Sequence, residues 1–232
     1  VLPQLRLIVG GRYEQWKAFD GLKVNGVTRV VQPAVDATKF SPKATLAWNA
    51  SPDWTLTASL GQAYRFATAA ELYQLVTTGT TFTAPDPGLK PDDVLSTELR
   101  IERAFARGKA QVSLFNDDIH DAIISQFKPL VAGSNTLFSY VSNVDHVRAR
   151  GAEVVLTERD VLIRGLELSG SATYLDAKTL ATSGHASATA PADAAVGKYL
   201  PNIPEWRANF IATESTMSRG DASAGGRYSD PH

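Results

Sequence analysis

The sequence contains no cysteine and only one methionine among its 232 residues. Without thiols, disulfide frameworks, thiolate metal sites and cysteine nucleophiles are all excluded. An excess of charge of either sign is also missing, because 23 Lys and Arg residues balance 24 Asp and Glu residues. The chain lacks the basic footprint of a nucleic-acid-binding protein, so nucleic acid is excluded as a leading partner.

Long apolar runs and enzyme motifs are missing as well. No window approaches the roughly 18 consecutive apolar residues of a transmembrane helix, and the start of the chain lacks the pattern of a secretory leader. There is no glycine-rich phosphate loop and no paired-histidine zinc motif, and the four histidines lie far apart along the sequence. We therefore expect no enzymatic activity, no cofactor and no metal ion.

What the sequence does contain is alternation of apolar and polar residues. In the segment 54–64, Trp54, Leu56, Ala58, Leu60 and Tyr64 share one face, while Thr, Ser and Gly residues occupy the other. The same alternation recurs in segments that begin near residues 5, 40, 99, 110, 152, 166 and 206. The pattern predicts an all-β fold whose strands have one apolar and one polar face.

Short and long connections alternate between the predicted strands. Short polar turns are expected at 50–53, 105–108, 158–161 and 216–220, and long segments at 20–38, 67–94, 124–140 and 178–202. Outer-membrane barrels have short periplasmic turns and long extracellular loops, whereas soluble sandwiches lack this asymmetry. We therefore predict an antiparallel up-and-down meander, with a short helix at 68–76 in the second long segment.

Outward-facing aromatic residues should form two bands if the short turns are periplasmic. The lower band would contain Trp48, Trp54 and Phe105, and the upper band Tyr13, Phe40, Tyr64, Tyr174 and Trp206. Amphipathic rings favour the level of the lipid headgroups, which explains two such bands in a membrane barrel. Periodicity alone leaves a second interpretation open, in which these residues are core aromatics of a soluble barrel.

One segment departs from the alternation. On the parity of Leu114, the polar residues Asn116, Asp118 and His120 follow in the sequence NDDIHD (116–121), so we expect this strand to bulge or to rise beyond the bilayer. The proximity of Asp117, Asp118 and Asp121 suggests a metal site, but the glycine and terminal glutamate of a calcium loop are absent. We interpret the segment as a solvated strand tip.

Several motifs, taken in order, resemble the barrel of TonB-dependent outer-membrane receptors. AYRFATAAELYQ (63–74) and PDPGLKPDDVLSTELRIER (85–103) are similar to that family's ELY and NP-LKPE segments. Further matches are GGRYEQW (10–16), YVSNVDHVRARGAEVVL (140–156) and LPNIPEWRANF (200–210). The resemblance implies that residues 1–232 form a partial transmembrane β-barrel, about eight or nine strands of a barrel of about 22. We expect the plug domain, the energy-coupling box and the closing strands to lie outside this chain.

The same resemblance implies a function and a location. It implies active import of a scarce substrate such as a ferric siderophore across the outer membrane of a Gram-negative bacterium. The implied partners are outer-membrane lipid, the plug domain of the same protein, a TonB-type periplasmic energy-coupling protein and an iron chelate. Two alternatives stay open: a passive porin-like channel, and a soluble all-β binding protein, which would need an apolar interior.

Candidate substrate-binding residues are arginine and aromatic side chains on the loops and the upper inner wall. An iron chelate presents flat rings and negatively charged oxygens; arginine supplies paired donors to the oxygens, and aromatic rings stack on the rings. The residues that fit this description are Arg65, Tyr73, Phe82, Phe127 and Tyr140. The alternative for each of them is packing between neighbouring loops.

Overall fold

The computed structural model describes residues 4–25, 27–73, 76–78, 81–84, 86–129, 137–183, 195–216 and 220–230. Over these residues the protein consists almost entirely of β-strands, with one short α-helix. No helix in this part of the chain is long and apolar enough to cross a membrane.

Thirteen strands and one helix follow one another along the described residues. They are β1 (Leu5–Ala18), β2 (Leu22–Asn25), β3 (Thr28–Val31), β4 (Val35–Asn49), β5 (Trp54–Arg65), α1 (Ala69–Tyr73), β6 (Val76–Thr78), β7 (Thr81–Ala84), β8 (Asp92–Phe105), β9 (Gly108–Pro129), β10 (Leu137–Arg159), β11 (Leu166–Ala181), β12 (Trp206–Thr216) and β13 (Gly220–Ser229). The main sheet has the path β1-β4-β5-β8-β9-β10-β11-β12-β13, and each pair along it is antiparallel. This path is the predicted up-and-down meander.

The two faces of the meander differ in the way that the alternation predicts. On one face Val9, Leu60 and Leu114 are 71%, 50% and 53% exposed. On the other face the hydroxyl groups of Thr45 and Ser59 lie 3.3 Å apart on neighbouring strands. Register aligns apolar residues in rows, one of which contains Leu7, Leu46, Ala58, Leu99, Leu114 and Ala152. A wide apolar face open to its surroundings, backed by a polar face, is the pattern of an outer-membrane barrel wall.

Aromatic residues lie at the expected ends of the strands. Near the long connections, Tyr174 and Trp206 are register partners whose ring centroids are 5.1 Å apart. Near the short turns, the Arg103 guanidinium lies 5.3 Å from the ring centroid of Trp54. Such a contact lets the arginine keep its charge near the headgroups while its aliphatic part covers apolar surface.

The connections confirm most of the predicted asymmetry. Only residues 50–53 join β4 to β5, and only residues 106 and 107 join β8 to β9. The opposite end carries long connections: one contains the hairpin β2–β3, and another contains α1, β6 and β7. The predicted turn at 216–220 lies partly outside the described residues. The described helix covers Ala69–Tyr73, and Val76, the last residue of the predicted helix, belongs to β6.

Two further features differ from the sequence prediction. The segment 124–140, predicted as a long loop, is largely strand, because β9 and β10 pair as far as Pro129 and Leu137. At about 3.3 Å per residue, a strand of 22 residues is far longer than the 9–11 residues that cross a bilayer, so β9 rises beyond the membrane as expected. In addition, β7 pairs with β10 in parallel at residues 138–140, a contact that an antiparallel meander does not predict.

Candidate functional site

The sequence candidate Arg65 ends strand β5 and connects four parts of the structure. Its Nε donates to Asp92 Oδ2 on β8 at 2.8 Å, its Nη1 donates to Glu71 Oε1 on α1 at 3.1 Å, and its Nη2 donates to the Ile123 carbonyl on β9 at 3.1 Å. Asp92 is further fixed because its Oδ1 accepts from the Ile123 backbone nitrogen at 2.7 Å. Arg65 therefore anchors the loop that carries α1 to the upper barrel wall.

Helix α1 begins with a capping box that includes the same glutamate. Thr68 Oγ1 accepts from the Glu71 backbone nitrogen at 3.2 Å, and Glu71 Oε2 accepts from the Thr68 backbone nitrogen at 2.7 Å. Reciprocal bonds of this kind satisfy two backbone donors that a helix start otherwise leaves free. The T-x-x-E pattern at 68–71 is the sequence signal for this capping box. The sequence analysis predicted a helix in this segment but did not predict the capping box.

The capping box gives a first testable prediction. Thr68→Ala should destabilise the docked helix by about 1 kcal/mol, because the Glu71 amide loses its acceptor. Amide hydrogen exchange at Glu71 and Leu72 should accelerate about fivefold, whereas Thr68→Ser, which keeps the hydroxyl, should leave exchange nearly unchanged. Equal exchange in the alanine and serine variants would show that the hydroxyl does not hold the helix.

Acid should release the same helix. Burial on its own raises the pKa of Glu71, but hydrogen bonds from Thr68 and Arg65 outweigh it and lower the pKa below its ordinary value of 4.5. A lowered pKa in the docked state stabilises docking above pH 4.5, and this stabilisation is lost as the pH falls through the lowered value. Exchange protection of α1, corrected for the intrinsic pH dependence of exchange, should therefore fall in acid. Glu71→Gln, which can still cap, should flatten this dependence; an unchanged pH profile in that variant would contradict it.

An apolar cluster lies beneath the anchored loop. Leu72 is completely buried, and it belongs to a cluster with Ala67, Leu89 and Val141, against which Trp16 of β1 packs. Strands β1 and β10 are five positions apart in the sheet, so one loop contacts walls that are not neighbours. Trp16 and Val141 have the parity of the polar face. The loop therefore folds over the inner side of the barrel at its extracellular end.

Two further sequence candidates lie beside this loop. The Tyr73 hydroxyl donates to the Pro33 carbonyl at 2.8 Å and so joins α1 to the connection before β4. Tyr140 is half-buried on β10, where it pairs in register with Gln126 of β9 and Ala84 of β7. Both tyrosines thus lie at the end of the sheet that carries the long connections.

The last two candidates are placed only by their backbone. Phe82 is part of β7 and pairs with Phe138, and Phe127 is part of β9 and pairs with Ser139. Their side chains lie outside what the structure describes. Their backbone positions bring both phenylalanines to the upper end of β10, near Tyr140, whereas Arg65 and Tyr73 belong to the anchored loop.

A second anchor, which sequence reasoning did not find, holds the end of the same loop. Asn143 Oδ1 accepts from the Lys90 backbone nitrogen at 2.9 Å, and its Nδ2 donates to the carbonyl groups of Lys90 and Asp121 at 3.0 and 2.6 Å. Asp121 has a left-handed backbone, with φ of 52°. Asn143 therefore fastens the loop to a local irregularity in β9.

The inner wall below the loop is lined with paired charges. Arg100 donates to Glu98 at 2.7 Å, Lys109 to Glu102 at 3.3 Å, and Arg12 lies 2.8 Å from Glu14. All have the parity that faces away from the apolar side. Such a lining suits a water-filled or plug-filled interior and excludes the apolar interior that a soluble barrel would need.

Comparison with known proteins agrees with this geometry. A family model described as TonB dependent receptor-like, beta-barrel, matches residues 1–231. The chain belongs to the TonB-dependent receptor family. A curated relative, the iron-regulated outer membrane virulence protein of Vibrio cholerae serotype O1 (strain ATCC 39315 / El Tor Inaba N16961), is 27% identical over an alignment of 182 residues, with 74% of this chain and 25% of that protein covered.

Solved structures similar to this receptor barrel show the same fold. The copper transporter OprC has a TM-score of 0.70 at 19% identity, with 98% of this chain and 32% of that chain covered. The FrpB iron transporter from Neisseria meningitidis (F3-3 variant) has a TM-score of 0.62 at 16% identity, with 99% and 31% covered. A mutant of the ferric enterobactin receptor PfeA from Pseudomonas aeruginosa, in complex with enterobactin, has a TM-score of 0.62 at 18% identity, with 97% and 30% covered. The chain thus spans about a quarter to a third of the length of these proteins.

Family membership fixes the location. The receptor barrel lies in the outer membrane of a Gram-negative bacterium, and its apolar face is the lipid-facing face. The soluble all-β interpretation that periodicity left open is therefore wrong. The family and its structural neighbours are transporters and receptors.

Proposed function

We propose that the full-length protein imports a ferric siderophore across the outer membrane, with energy from a TonB-type periplasmic protein. The observation that carries the proposal is the match of nearly the whole chain to the receptor barrel model, together with a polar inner wall under an anchored extracellular loop. Relatives named for iron support the substrate class: one is iron-regulated, one is an iron transporter and one is a ferric enterobactin receptor. The protein acts by binding and transport, without catalysis.

The proposal extends to the parts that bind and gate. This chain forms one section of a barrel that further strands close and a plug domain fills. Arg65 and Tyr73 on the anchored loop, with Tyr140, Phe82 and Phe127 at the upper end of β10, contact the substrate. Arg65 has five N–H groups, of which the bonds to Asp92, Ile123 and the two carboxylate oxygens of Glu71 use four, so one remains for an anionic oxygen of a chelate.

Uptake of radioactive iron chelates by whole cells tests this function. Cells that lack the chromosomal gene receive the full-length receptor, and a panel of ferric siderophores is supplied, with the iron-free chelators as controls. We expect accumulation of at least one chelate, and we expect it to fall to the level of surface binding when the energy-coupling protein is deleted.

Two other outcomes would contradict the proposal. Accumulation that persists without the energy-coupling protein and stops at the external concentration would indicate the passive porin-like channel. Accumulation of none of the chelates, with intact receptor at the cell surface, would remove ferric siderophores as the substrate class. Surface expression is checked by antibody binding to an epitope in an extracellular loop.

A further inference from the structure

A cluster of possible metal ligands lies on the lipid-facing side of the wall, outside the site described above. It consists of Asp118 and His120 on β9 and His146 on β10. Asp118 Oδ1 lies 2.5 Å from His146 Nε2 and 3.4 Å from His120 Nε2. The two imidazole rings are stacked, with centroids 4.5 Å apart.

Strand register explains why these three residues meet. Asp118 and His120 are two residues apart on β9, so their side chains share a face, and His146 is the direct register partner of His120. The sequence analysis considered Asp117, Asp118 and Asp121 as a metal set and interpreted the segment as a solvated strand tip. Alternation places Asp117 on the opposite face, and Asp121 lies 3.5 Å from Lys90. The structure instead groups Asp118 with His120 and with His146, which lies on the next strand.

The chemistry of the three donors is that of a transition-metal site. One ligand atom from each residue lies within 4.8 Å of the others. Bonds of about 2.0–2.2 Å to a tetrahedral ion separate neighbouring donors by about 3.3–3.6 Å. The Asp118–His120 separation is close to this value, whereas Asp118 and His146, which are hydrogen-bonded to each other, would have to move apart to admit an ion. We propose that Asp118, His120 and His146 bind a divalent transition-metal ion of borderline softness, such as Zn²⁺ or Cu²⁺.

The position of the cluster makes it reachable from the cell exterior. Between Leu114 and the irregularity at Asp121, the outward residues of β9 are polar, and Asp118 and His120 follow Leu114 by four and six residues, about 13–20 Å farther along the strand. His120 is more than half exposed, and the other two are partly exposed. The site faces away from the barrel interior, so it is independent of the proposed import.

Neighbouring charges complete the surroundings of the site. Asp93 on β8 is the register partner of His120 and accepts from Gln62 Nε2 at 2.8 Å, so a second carboxylate stands beside the cluster. Arg148 on β10 is the register partner of Asp118. The Asp93 carboxylate favours a bound cation, and the Arg148 guanidinium opposes one. A bound ion would join β9 to β10 immediately below the irregularity at Asp121.

Metal titration of the full-length receptor, purified without a histidine tag, tests the site. Zn²⁺ is titrated calorimetrically into the wild-type protein, into Asp118→Asn and into Asp117→Asn, which makes the same charge change on the opposite face. We expect one equivalent of Zn²⁺ whose affinity falls at least tenfold in Asp118→Asn and stays unchanged in Asp117→Asn. The His120→Ala/His146→Ala double variant should bind one equivalent less than the wild type.

A measurement on the unaltered protein guards against variants that fail to fold. Diethyl pyrocarbonate modifies exposed histidines, and mass spectrometry then reports modification at His120 and His146. We expect Zn²⁺ to protect both side chains together, and Cu²⁺ at one equivalent to give an electron paramagnetic resonance spectrum with two coordinated nitrogens. Equal Zn²⁺ binding in Asp117→Asn and Asp118→Asn, or modification that Zn²⁺ does not slow, would overturn the proposal.

Discussion

Leu60→Arg should lower the free energy of unfolding of the full-length protein by about 2–4 kcal/mol. Leu60 lies midway along β5, is half exposed on the apolar face, and has Ala44 and Thr97 as register partners on the adjacent strands. An arginine there must leave its charge in hydrocarbon or distort the bilayer around it, and either outcome costs free energy. Denaturant titration in lipid vesicles measures the difference.

The matched control is the neighbouring residue. Ser59 faces the lumen, where its hydroxyl contacts Thr45, and the interior accepts charge far more readily than lipid does. We expect Ser59→Arg to change the unfolding free energy by less than about 1 kcal/mol. Equal losses in the two variants would mean that the faces of β5 are assigned incorrectly.

Arg65→Ala should have the second largest effect, a loss of about 2 kcal/mol in the docking of helix α1. In the variant, Asp92 and Glu71 both lose the Arg65 cation. The Asp92 side chain is only 13% exposed. Removing one partner from a buried ion pair costs about 3–5 kcal/mol, and we reduce this value because the Arg65 side chain is 44% exposed. Exchange at the Leu72 amide should accelerate roughly thirtyfold.

Arg100→Ala is the control for the loss of an arginine. The Arg100 side chain is 42% exposed, almost the same as that of Arg65, but its carboxylate partner Glu98 is two residues away on the same strand. Because that pair joins no separate elements, we expect loop exchange to stay unchanged. Similar acceleration in both variants would mean that a general loss of charge, and not the anchor, loosens the loop.

Much of the wall could be predicted from sequence because the signal was local. A β-strand alternates with a period of two whatever surrounds it, so the Trp54 to Leu60 pattern identified the lipid-facing side without any knowledge of neighbouring strands. The turns between β4 and β5 and between β8 and β9 were equally local. The extension of β9 to Pro129 was missed, because continued pairing with β10 outweighed loop-like composition.

The sites were harder to predict because they depend on residues distant in sequence. Arg65 was chosen for its donors, but its partners Asp92 and Ile123 lie 27 and 58 residues away, and only the register brings them together. His146 joins Asp118 across 28 residues for the same reason. By contrast, the capping box of Thr68 and Glu71 spans three residues and is visible in the sequence alone.

Cysteine scanning along β5 tests most directly whether this chain is the wall of an outer-membrane receptor. The chain contains no cysteine, so single substitutions at Thr57, Ala58, Ser59 and Leu60 add one thiol each without background from this section. In the full-length receptor in outer membranes, a lipid-restricted reagent should label positions 58 and 60, and a water-soluble maleimide should label positions 57 and 59. Labelling that does not alternate between the two reagents would contradict the assignment of one face to lipid and the other to the lumen.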